Sequence, residues 1–139
     1  MAIVSKANAE WKGSLKEGNG EVAFGTFKGS YTFASRFETG AGTNPEELIA
    51  AAHAGCYSMQ LSGLLTAAGT PPKSIKTTAA VTIEAGVGIT GIALEVEAEI
   101  PGINDATFQE TANKAKEICP VSKALASVPS ITLKATLKS

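Results

Sequence analysis

Cysteine, histidine, arginine and tryptophan are all scarce in this chain. Two cysteines, one histidine, one arginine and one tryptophan stand among 139 residues. Two thiols do not make a disulfide scaffold. A chain of this length buries about two-thirds of its unfolded surface and needs no staple. With the lone His53 the two cysteines do not fill a closed four-ligand zinc site, unless carboxylates join them. Charge of one sign is also missing. Twelve basic and 13 acidic residues leave a net charge of −1, which argues against nucleic acid as the main partner. No apolar run reaches the length of a membrane span. The opening stretch "MAIVSKANAEWKGSLKEG" lacks a long apolar core and reads as no signal peptide. The expectation is one domain over residues 1–139, in the cytoplasm, with no membrane partner and with both cysteines as thiols.

What is present alternates between strand and helix signals. Residues 3–37 read as strands with turns. Glycines and an asparagine between Trp11 and Val22 suit a hairpin, and Phe27, Tyr31, Phe33 and Phe37 suit aromatic-bearing strands. "TNPEEL" then opens a helix. Thr43 or Asn44 caps it, Pro45 fits its first turn, and Glu46 and Glu47 favour its positive end. With Asn44 as cap, Glu47 takes the capping-box position. The helix is expected to reach about Ala68 and stop at Gly69. Without a charge from Glu47 to Lys73 it has no polar face, which predicts a central helix covered on all sides. Two strands follow, turning near Gly86–Gly88. In the second, Ile92, Leu94, Val96, Ala98 and Ile100 alternate with Glu95, Glu97 and Glu99, a half-buried strand. "NDATFQETANKAKEI" reads as an amphipathic helix, with Phe108, Ala112 and Ala115 inward and Gln109, Asn113 and Lys116 outward. "PVSKALAS" is a short helix, and residues 130–139 close as a strand with Ile131, Leu133 and Leu137 inward. The order argues an α+β fold.

The two cysteines are the chemical question. A lone cysteine in an alanine-rich helix is most often a small buried hydrophobe. Cys119 falls at a helix break, and a thiol at the start of a new helical turn is favoured as thiolate. Cys56 lies within its helix, so its activation needs a cation from elsewhere. Arg36, the sole arginine, is the candidate, although an isolated arginine is more often a solvated charge. His53 lies three residues before Cys56, on nearly the same helix face. A Cys–His nucleophile needs a third orienting group, and spacing reveals none. The ordinary role for His53 is a partly buried polar contact.

"RFETGAGTNPEELIAAAHAGCYSM" followed by "AKEICPVSKAL" closely resembles the OsmC/Ohr family of peroxide-reducing proteins. The resemblance runs from "AEWKGSLKEGNGEV" to "ITLKATLKS", and the tryptophan-containing start resembles the OsmC, osmotically inducible, branch. It implies antiparallel sheets around a long central helix in an intertwined homodimer. It also implies a thiol-dependent organic hydroperoxide reductase without flavin, haem or metal. The motif matches imply Cys56 as the peroxide-attacking thiolate, Cys119 as the resolving thiol, Arg36 as the cation at the thiolate and Glu46 as the carboxylate that orients Arg36. A dithiol reductant, a dihydrolipoyl protein or thioredoxin, would then regenerate the thiols. An apolar neighbourhood of Phe37, Met59, Leu61 and Leu64 would favour organic peroxides.

Helix geometry qualifies that assignment. Glu46 and Cys56 are ten residues apart, roughly 15 Å along a helix axis. An antiparallel pairing of the helix with its copy near Ala51 would bring Glu46 of one chain level with Cys56 of the other. Ala50, Ala51, Ala52, Ala54 and Gly55 are small enough for close approach, and a two-fold axis would supply both sites. Two other functions compete: a module binding an apolar or lipid-like ligand with inert cysteines, and a metal- or redox-responsive sensor.

Overall fold

Glycine and asparagine between Trp11 and Val22 turn the chain back on itself, and the computed structural model, which describes residues 1–138, places a hairpin there. Contacts divide the chain into two units, the first Met1–Leu48 and the second from Ile49 onward.

The first unit holds an antiparallel sheet in the order β1-β2-β3, made of β1 (Asn8–Lys12), β2 (Asn19–Phe24) and β3 (Phe27–Tyr31). Trp11 and Tyr31 lie on either side of Gly20 and pack with ring centroids 5.3 Å apart. A Cβ on Gly20 would come within 2.6 Å of both rings, so only glycine admits this pairing. The strand expected through Phe37 ends earlier. Phe33–Phe37 forms a single helical segment, α1. Thr32 and Ser35 make a reciprocal capping box, each side chain bonded to the other's backbone N–H. Two satisfied backbone donors outweigh the β preference of the aromatics here.

Helix α2 (Pro45–Ala67) begins as the sequence predicts. Asn44 is the cap, its side-chain oxygen accepting from Glu47 N–H at 2.7 Å. The Glu47 carboxylate does not complete the box. It accepts from the Thr43 hydroxyl at 2.8 Å instead. At the other end Gly69 has φ +86°. Gly69 N–H bonds to Thr66 and Thr70 N–H to Leu65, which satisfies the last carbonyls.

In the second unit β4 (Ser74–Glu84) and β5 (Gly88–Glu99) form the expected antiparallel hairpin. Helices α3 (Asp105–Ile118) and α4 (Pro120–Ala124) follow, and β6 (Ser130–Lys138) then pairs with β5 in parallel. The sheet is therefore mixed rather than wholly antiparallel, because the two helices carry the chain back to the same end before β6 begins. Position 139, expected to extend this strand, lies outside the described residues. Tyr57, Leu61 and Leu65 of α2 share a core with Ile92, Leu94, Val96 and Ala98 of β5 and Phe108, Ala112 and Ala115 of α3. Gln109 and Lys116 do not simply point outward. Their side chains donate to the β6 carbonyls of Ala135 and Ile131, at 2.8 and 3.1 Å.

Helix α2 was expected to be covered all round, yet one face is open in this chain. Ala51, Ala52, Gly55, Met59 and Gly63 are exposed, and no atom lies within 4 Å of a Cβ built on either glycine. Among the described residues no helix is long and apolar enough to cross a membrane.

Candidate active site

The expected site residues gather as two pairs, each within its own unit. In the first, Arg36 of α1 meets Glu46 of α2. Nε and Nη2 of Arg36 each donate to one carboxylate oxygen, both at 2.9 Å. This is the fork-to-fork geometry that arginine provides and lysine cannot. The Glu46 side chain is 8% exposed and that of Arg36 36%, so the carboxylate is buried under a partly open guanidinium. The bond to Glu46 raises the Arg36 pKa further, against the smaller effect of burial. A brace holds α1 to the start of α2. Ser35 Oγ donates to the Thr43 carbonyl at 2.7 Å, and the Asn44 amide donates to the Ser35 carbonyl at 3.0 Å.

Arg36 also lines a hollow of about 150 Å³ with Trp11, Leu15, Tyr31, Phe33 and Phe37. Of the four apolar residues expected around the chemistry, Phe37 belongs to this hollow. Leu61 is in the core, Leu64 packs half-buried against it, and Met59 is exposed.

In the second pair Cys56 and Cys119, separated by 63 residues, bring their sulfurs to 3.2 Å, both as free thiols. Cys119 is wholly buried and Cys56 partly so. It closes α3 and caps α4, with Pro120 at the first helical position, as the helix break predicts. The surroundings act on the two sulfurs in opposite directions. Burial pushes the Cys56 thiol up; the Val121 N–H offsets part of this, and Cys119 adds to it. Burial also opposes ionisation of Cys119. Hydrogen bonds from the Ser122 N–H, Cys56, the Ser122 hydroxyl and the Val121 N–H outweigh it, so the Cys119 pKa is lowered. A positive charge brought beside Cys56 would favour its thiolate.

His53 is fully buried rather than partly so, and Nε2 lies 2.7 Å from Ser122 Oγ. Burial lowers its pKa. Sequence reasoning missed Ser122, although it stands in the "CPVS" stretch that drew attention. It also missed the Thr32–Ser35–Thr43 brace. Thr32 and Ser35 have the spacing of a capping box, a signal hidden by the aromatic residues around it.

Comparison with known proteins adds to this geometry. The profile of the family described as OsmC-like protein matches residues 38–134. The chain is 48% identical to Peroxiredoxin OsmC of Escherichia coli (strain K12), over the whole of both sequences. It is 35% identical to an organic hydroperoxide resistance protein of Xanthomonas axonopodis pv. citri (strain 306), across 68% of this chain and 67% of that one. Its fold matches the crystal structure of an OsmC-like protein from Mycoplasma pneumoniae with a TM-score of 0.78 at 17% identity, over the full length of both chains.

Proposed function

Because this chain belongs to the OsmC-like protein family, we propose that it is a thiol peroxidase that reduces organic hydroperoxides in peroxide defence. The observation that carries the reading is the approach of Cys56 and Cys119 to 3.2 Å from positions 63 residues apart. A disulfide needs the sulfurs only about 1 Å closer.

In the proposed cycle the Cys56 thiolate attacks the terminal peroxide oxygen. The O–O bond breaks, the alkoxide leaves as alcohol after taking a proton, and Cys56 becomes a sulfenic acid. Cys119 then attacks the Cys56 sulfur and water leaves, which gives the disulfide. An external dithiol reduces it by exchange.

Arg36 supplies the charge that Cys56 lacks among its own neighbours. Two nitrogens of its guanidinium are committed to Glu46. Among the described residues Nη1 accepts no such commitment, which leaves a donor for the peroxide. The aromatic hollow beside Arg36 suits an organic substituent. At about 150 Å³ it is smaller than the roughly 300–1,000 Å³ of a pocket that engulfs a drug-sized ligand. That weighs against a lipid carrier with inert cysteines.

The reading includes a homodimer in which Glu46 and Arg36 of one chain serve Cys56 of the other. The exposed small-residue face of α2, at Ala51, Ala52 and Gly55, supports a close antiparallel approach of two such helices.

The test is a thiol count before and after one equivalent of cumene hydroperoxide. The peroxidase loses both thiols and recovers them with dithiothreitol. Persistence of both thiols would overturn the peroxidase reading and leave the binding module or a metal-responsive sensor.

A further inference from the structure

Two rungs join α2 to α4. Cys56 meets Cys119 at 3.2 Å, and His53 meets Ser122 at 2.7 Å. Within each helix the partners are three residues apart, so the rungs lie side by side. His53 is 0% and Ser122 7% exposed, so burial shields their bond.

The buried ring fixes its own tautomer. His53 Nδ1 is buried without a hydrogen-bond partner. A proton there would strand a buried donor, whereas a proton on Nε2 leaves only a bare lone pair, the smaller cost. Nε2–H therefore donates to Ser122 Oγ. The serine proton is then free to turn toward the Cys119 sulfur, whose thiolate that hydroxyl favours.

The segment bearing Cys119 needs such a tether. Helix α4 has five residues and its cap makes no side-chain hydrogen bond. So short a helix has almost no stability of its own. Val121 and Leu125 pack against the core and fix where the turn lies. Apolar contacts do not fix the direction in which a thiol one residue before Pro120 points; a directional bond does.

We propose that His53 and Ser122 are positioning residues for the resolving step, holding the first turn of α4 so that the Cys119 sulfur faces an oxidised Cys56. The inference rests on the peroxidase reading above. In the step itself the Cys119 thiolate donates an electron pair to the Cys56 sulfur and the S–O bond of the sulfenic acid breaks. Hydroxide departs and is protonated to water. Cys119 is oxidised and the Cys56 sulfur reduced by the same amount, leaving the disulfide.

The experiment follows one turnover of the full-length protein with one equivalent of tert-butyl hydroperoxide. Peroxide loss reports the attack, and disulfide formation reports resolution. Dimedone traps any Cys56 sulfenic acid. Ser122→Ala, which removes one oxygen atom, is expected to slow disulfide formation about tenfold, the kinetic equivalent of one hydrogen bond to a charged group. Peroxide loss should change less than about threefold, and the dimedone adduct on Cys56 should accumulate. Ser122→Thr, which keeps the hydroxyl, and His53→Gln, which keeps a donor near Nε2, should restore most of the resolving rate. Disulfide formation at the parental rate in Ser122→Ala overturns the proposal. So does equal slowing of both steps, which would mark a general structural role. A parent protein that loses peroxide without any sulfenic acid or disulfide would instead sink the peroxidase reading, and this inference with it.

Discussion

Replacing Arg36 by lysine keeps the charge and removes the geometry, so it asks whether the fork matters. In the parent, two nitrogens of Arg36 hold two oxygens of Glu46 at 2.9 Å each. A lysine ammonium is a single point and can hold only one of them well. One charge-assisted hydrogen bond is lost, worth about 1.5–3 kcal/mol when fully shielded. The Arg36 side chain is 36% exposed, so water replaces part of that bond, and a loss of roughly 0.5–1.5 kcal/mol is expected. That lowers the thermal midpoint by about 2–6 °C.

The effect on chemistry should be larger than the effect on stability. A lysine tethered to Glu46 has no second arm for the thiolate or the peroxide. If its charge no longer sits at Cys56, the Cys56 pKa rises, and a rise of one unit removes about 1.36 kcal/mol of thiolate stabilisation. At neutral pH kcat/KM for an organic hydroperoxide should then fall roughly tenfold. The Cys56 pKa can be read from the pH dependence of alkylation in a Cys119→Ser background, and turnover from steady-state peroxide loss. An Arg36→Lys protein with parental turnover and parental alkylation profile would make Arg36 a bystander, and another cation would have to be sought.

Further outcomes follow from the same geometry. Cys56→Ser should consume no peroxide, while Cys119→Ser should stop after one attack with a dimedone adduct on Cys56; an adduct on Cys119 in the reverse variant would invert the roles. Mixed dimers refolded from Glu46→Ala and Cys56→Ser chains should regain activity, because one intact cross-chain site is restored; silent mixed dimers, shown to have formed, would refute the shared site. Burial lowers the His53 pKa below its unfolded value near 6.5, so below that value the unfolded chain binds the extra proton. Stability should therefore fall as pH drops through 6.5, by at most about 1.4 kcal/mol per pH unit. Urea unfolding at pH 7.5 and pH 5.5 should show a drop that shrinks in His53→Gln. Leu61→Ala in the core should cost about 2–5 kcal/mol, read from the same urea curves; a smaller loss would mean that the core closes over the gap.

Where sequence reasoning succeeded, the signal was local. Asn44 before Pro45, and Gly69 after a charge-free run, mark the two ends of α2, because caps and φ > 0 positions are written in adjacent residues. The alternation from Ile92 to Ile100 is likewise one strand's own record of its two faces. The failures have a different origin. The parallel pairing of β5 with β6 depends on how two helices carry the chain back, which no single window contains. Likewise α1 looked like a strand because three aromatic residues outvoted a capping box of only two side chains. The open face of α2 was misjudged for a related reason. Lack of charge says that a face avoids water, and it does not say which chain covers it.

The site divides along the same line. Cys119 at a helix break was legible as chemistry because the dipole and the proline are its neighbours in sequence. Arg36 stood out as the sole arginine, but Glu46 became a candidate only through the resemblance, since nothing local tells a guanidinium which carboxylate ten residues on will receive it. His53 is the sharpest case. Its spacing from Cys56 puts both on one helix face, so its nearness to the chemistry was visible. Its role was not, because the third group that gives it a role is Ser122, 69 residues away. Ser122 stands on α4 three residues after Cys119, and His53 stands three residues before Cys56. The two contacts stand side by side, and on the positioning proposal a change at Ser122 or His53 should be felt at the Cys119 sulfur.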